Sequence, residues 1–67
     1  MIFIVKDKNA QKFREILNQC FVSIDNSSSR AEEQDNGTWK FEINETIIEK
    51  LRLNQINKLT SFSTAVL

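Results

Sequence analysis

Histidine is absent from this 67-residue chain, and cysteine and glycine occur once each. Without an imidazole, no nucleophile–base pair of the usual kind can form around Cys20 or a serine. No spacing offers another base, so the chain reads as non-enzymatic. A lone Cys20 excludes an intramolecular disulfide. One thiol also cannot supply four zinc ligands, so neither metal nor cofactor is expected. A phosphate-cradling loop needs several glycines beside a helix N-terminus, and Gly37 stands alone. Nine basic residues balance nine acidic ones. With no net field to attract phosphates or an anionic bilayer, nucleic acid and membrane are not the expected partners. The opening apolar run, Met1 to Val5, is too short for a signal sequence or a membrane span. The cysteine count leaves the compartment open.

A chain of this size is read as one domain, residues 1–67. Such a domain buries only about 60% of the surface its unfolded form exposes. Ordering it costs roughly 1.5 kcal/mol per residue, which nearly cancels the apolar burial. Packing, self-association or a partner must supply the margin.

The run "MIFIV" predicts a strand with both faces at least partly covered. From Lys8 to Cys20, Ala10, Phe13, Ile16, Leu17 and Cys20 recur at three- and four-residue intervals. That is the stripe of an amphipathic helix, with Asp7 or Asn9 as its cap. "FVSID", residues 21–25, carries β-branched and aromatic residues and predicts a second strand. Residues 26–37 hold one apolar residue in twelve and end on Asn36-Gly37, suited to a turn with positive φ, which reads as a solvated loop. "TWKFEIN" alternates, with Trp39, Phe41 and Ile43 on one face of a half-buried strand. Asn44 then caps a second helix, with Glu45 near its positive end and Ile47, Ile48 and Leu51 turned to the core.

Beyond Leu51 two registers compete, because Leu53 and Ile56 fall off the stripe set by Ile47, Ile48 and Leu51. The favoured reading stops the helix near Leu53 or Asn54, makes "INKLT" the last strand and leaves 61–67 as a projecting tail. The other runs the helix to Leu59 and uses "SFSTAV" as the strand. Both give an α+β domain of order β-α-β-β-α-β, the ferredoxin-like split arrangement, with two helices on one face of an antiparallel sheet. Its central first strand is wholly apolar, so either Ile2 and Ile4 or Phe3 and Val5 must point at the uncovered face. Such a face suggests docking of a second copy or another protein.

Trp39 and Phe41 raise the thought of a base-stacking sheet, but Glu42 lies beside them and no basic cluster flanks the strand. Core packing explains them better. Cys20 ends the helix stripe and reads as a small core residue. Glu32, Glu33 and Asp35 form an acidic group that could coordinate a cation or cap helix N-termini on a partner, with Arg30 beside them diluting the field.

"MIFIVKDK", "WKFEINETIIEKLR" and "INKL" together resemble the propeptides and free-standing inhibitors of subtilisin-type serine proteases. Trp39, Phe41 and Ile43 match the strand positions, Leu51-Arg52 the Leu-basic step, and Ile56 and Leu59 the apolar pair of the last strand. The turn "RLNQ" departs from the Pro or Gly usual there, and residues 26–37 match nothing in the family. The resemblance implies an open sheet packed on the protease and a C-terminal tail lying through its active-site cleft. Leu67 would fill the primary specificity pocket, with Val66, Ala65 and Thr64 in the subsites before it. An uncharged extended segment can add to a sheet edge without desolvating a charge. The rival reading is a small regulatory or assembly protein that dimerises, or binds a partner protein, through its open sheet.

Overall fold

The computed structural model describes residues 1–24 and 29–67. The apolar run at the start forms β1 (Ile2–Lys6) and passes without a loop into α1 (Asp7–Gln19). The expected stripe is buried: Ala10, Phe13, Ile16 and Leu17 face the core. The cap differs from expectation. Lys6 holds the cap position and no side chain bonds there. Asp7 lies in the first turn, and its carboxylate accepts a 2.9 Å hydrogen bond from the indole N–H of Trp39.

Helix α1 ends in a Schellman motif. The Phe21 N–H donates to the Asn18 carbonyl and the Val22 N–H to the Leu17 carbonyl. Phe21 adopts φ 60°, the left-handed region. Val22 and Leu17, both buried, provide the apolar contact that accompanies this motif. The strand expected over 21–25 is therefore corrected. Phe21 to Ile24 form none, and Asp25 lies outside the described residues. Strand propensity at Phe21 and Val22 loses to helix termination, which satisfies carbonyls that would otherwise stay unpaired.

The second strand is instead β2 (Ser29–Glu33), inside the stretch expected to be loop, of which 26–28 lie outside the described residues. An edge strand needs one pairing neighbour and meets solvent on its outer side, so polar residues suffice. Ser29 and Ala31 put small side chains on the covered face, and Ser29 Oγ donates to the Ser23 carbonyl. A tight turn leads to β3 (Thr38–Ile43), with Gly37 at φ 78° and the Gln34 N–H on the Thr38 carbonyl. A type I turn closed by a left-handed glycine gives this hairpin geometry.

Asn44 caps α2 (Glu45–Ile48) as expected, its Oδ1 accepting from the Thr46 N–H at 2.9 Å. That helix lasts one turn. The chain breaks over Glu49–Arg52 and restarts as α3 (Leu53–Ser61), where Gln55 Oε1 accepts from the Arg52 N–H in the manner of a capping box. The break resets the helical phase. Ile48 is buried with Ile47 and Leu51 packed beside it, Leu59 serves the core from α3, and Leu53 is left 74% exposed. "INKLT" is thus helical rather than the last strand.

The chain closes with β4 (Ala65–Val66), hydrogen-bonded to β1. The order across the sheet is β2-β3-β1-β4, and every neighbouring pair is antiparallel. The protein is thus an α+β domain with a four-stranded open antiparallel sheet. Phe3, Val5, Phe41 and Ile43 lie on the face that packs against α1 and α3. Phe13 sits between two aromatic neighbours, 4.5 Å from the Phe41 centroid and 5.3 Å from that of Phe3. Tilted pairs at such distances add about 0.5–1.5 kcal/mol each beyond area burial.

Candidate functional site

Antiparallel register puts directly opposed residues on one side of a sheet, so the uncovered face can be read from the pairing. One row across it runs Arg30, Glu42, Ile2 and Leu67; the next runs Glu32, Lys40, Ile4 and Ala65. Of the alternatives the apolar first strand allowed, Ile2 and Ile4 take the open face, and Phe3 and Val5 the core. Over β1 and β4 these two rows are apolar, and over β2 and β3 they carry two cations and two anions in alternation. A third row places Lys6 opposite Thr38 on the same face.

The predicted tail is corrected here. Ser61 belongs to α3, and Ala65 and Val66 form a strand. The Thr64 N–H donates to the Ile4 carbonyl at 2.6 Å, and Leu67 exchanges hydrogen bonds of 2.7 and 3.0 Å with Ile2. Thr64, Ala65, Val66 and Leu67 are therefore held along the molecule's own sheet and do not project. The sequence contained this alternative, since "SFSTAV" was the competing strand. What decides for it is that β1 would otherwise present an apolar strand with a row of unpaired peptide groups.

The acidic group is split. Glu32 is on the open face opposite Lys40, Glu33 is opposite Trp39 on the covered side, and Asp35 is in the hairpin turn. They make no common patch. Trp39 and Phe41 also lie on the covered side. Phe41 is fully buried, and the Arg14 guanidinium stands 5.1 Å from the Trp39 ring centroid, within cation–π range. Neither ring is offered to a ligand on the open face.

Cys20 is half-buried, and desolvation raises its thiol above the usual value, with nearby Lys58 opposing the shift. This favours an inert, protonated thiol. Among the described residues no group of three or more His, Cys, Asp or Glu is placed to hold a metal ion, and no helix is long and apolar enough to cross a membrane.

A second feature had no signal in the sequence beyond an aromatic residue after a helix. A groove of about 570 Å³ opens between the end of α1 and the α2–α3 junction. Cys20, Val22, Ile47 and Leu51 give it apolar walls, and Lys50 and Arg52 line it as cations. Phe21 stands at its edge, 96% exposed. No protein-family model matches the sequence, and no curated protein or solved structure is significantly similar to it.

Proposed function

We propose that this protein is a non-enzymatic binding domain that pairs with a second copy of itself through the open face of its sheet. The single observation that carries this reading is the self-complementarity of that face. Consider a two-fold axis lying in the interface, across the strands and between the two rows. It sets Arg30 against Glu32 of the second copy, Glu42 against its Lys40, Ile2 against its Ile4, and Leu67 against its Ala65. Within these two rows each charge meets an opposite charge and each apolar residue an apolar one, as an isologous interface requires, while Lys6 and Thr38, in the next row of the same face, lie outside the paired rows. The operation reverses strand direction while keeping the two sheets aligned, a packing that sheets favour. A small domain with marginal burial gains most from such a contact.

The ferredoxin-like split arrangement is part of this proposal. The order β2-β3-β1-β4 supports it, with α2 and α3 together filling the second crossover. Protease inhibition through Thr64 to Leu67 ranks lower for a physical reason: cleft occupancy would require these residues to leave β1.

The test is charge exchange, read by size-exclusion chromatography with light scattering. Wild-type protein is expected to run as a dimer. Glu32→Arg should give monomers, because two Arg–Arg contacts arise by symmetry. The double variant Arg30→Glu with Glu32→Arg should restore the dimer. A wild type that stays monomeric at millimolar concentration, or a dimer indifferent to Glu32→Arg, would sink the proposal.

A further inference from the structure

We infer that the groove at the end of α1 is a second docking surface, on the helical layer, which captures an acidic peptide segment carrying a bulky apolar residue. Three observations converge there. Phe21 is the only non-glycine residue among those described with a positive φ. It occupies the position after the helix where glycine is the usual choice, and it has almost no contact within the molecule. A large aromatic held in an unfavourable backbone conformation and exposed to water costs the fold stability and returns no packing, the pattern of a residue kept for contact with something else. Beside it, Val22, Ile47 and Leu51 form the floor of the groove of about 570 Å³, ample for one large side chain and its neighbours. The polar rim has one sign: Lys50 and Arg52 line the groove, and no acidic residue does among the described residues. Lys58 adds to the same field near Cys20. An apolar floor with cations at the rim is complementary to an apolar anchor flanked by carboxylates, and exposed aromatics beside a pocket are typical anchors of such contacts.

This surface lies away from the open sheet face, so it can be tested whether or not the protein dimerises. The probe is a short fluorescein-labelled peptide of Glu and Asp around a central Leu-Trp pair. Its control has Lys in place of every acid. Fluorescence anisotropy should show binding of the acidic probe alone, weakening as salt rises. Phe21→Gly, which suits the backbone and should fold, is expected to weaken binding roughly tenfold. Lys50→Glu with Arg52→Glu should abolish binding, and Glu32→Arg should leave it unchanged. Equal binding of the two peptides, no binding of the acidic one, or full affinity in Phe21→Gly would each overturn the inference. If Phe21→Gly alters the oligomeric state instead, the groove belongs to a second copy and the peptide assignment is wrong.

Discussion

At Gly37 and Phe21 the backbone alone decides what a side chain costs, and the two positions should respond with opposite signs. Both have φ in the left-handed region, at 78° and 60°. Nothing lies within 4 Å of a Cβ built on Gly37, so Gly37→Ala meets no clash and should lose only the conformational term, about 1 kcal/mol. Phe21→Gly should gain about the same amount, because the strain goes and the exposed ring contributes no packing. Urea midpoints of the two variants check both values. Cys20 gives a pH-dependent case. Burial raises its thiol pKa above the ordinary 9.0. Its contribution to stability is therefore fully present below the unfolded-chain value and is lost as pH rises through the folded one. Stability should fall at alkaline pH, above about 9, with a slope that Cys20→Ser removes. Reaction of Cys20 with an aromatic disulfide reagent at pH 8 should be slower in the folded protein than in urea.

The elements whose residues follow a strong period are legible in the sequence alone. β1, α1 and β3 carry continuous, helical and alternating apolar patterns, and Asn44 announces α2 by a capping preference. Three things are not. β2 is an edge strand with charge on both faces, so its composition is that of a loop. Phe21 to Ile24 carry strand formers, yet a left-handed phenylalanine ends α1 at a position where glycine is the usual residue. The break after Ile48 contains neither proline nor glycine, and only the phase error at Leu53 and Ile56 hinted at it. The open face was legible as a consequence of the all-apolar β1, whereas its charge pattern needed the register of β2. The end of the chain has the sharpest consequence. Deleting residues 64–67 removes the three hydrogen bonds that Thr64 and Leu67 share with β1, and with them the β1–β4 ladder at Phe3–Val66 and Ile4–Ala65, each bond worth about 1 kcal/mol net. The expected loss is at least about 3 kcal/mol, a large share of the roughly 3–10 kcal/mol available to a chain of this length. The urea midpoint should fall accordingly. An unchanged midpoint would mean that Thr64 to Leu67 are dispensable to the fold and return them to the role of a tail.

For the whole molecule, the proposed dimer makes stability a function of concentration. If two folded copies associate and the unfolded chain does not, mass action favours the folded dimer as protein is added. With unfolding enthalpies typical of a domain this size, the thermal midpoint should rise by roughly 5 °C for each tenfold increase in protein. Ile4→Glu sets a carboxylate against Ile2 of the second copy, with no cation facing it there, and should abolish this dependence. The variant should keep its own fold, because Ile4 is only half-buried and lies beside Lys40. Far-ultraviolet circular dichroism checks that point. Salt distinguishes the two halves of the interface: screening weakens the Arg30–Glu32 and Glu42–Lys40 contacts and leaves the apolar pairing in place. The dimer should loosen between low and high ionic strength without dissociating fully. A midpoint flat in concentration for the wild type would show that the open face is simply solvated, its alternating charges serving only to keep the sheet from pairing with others.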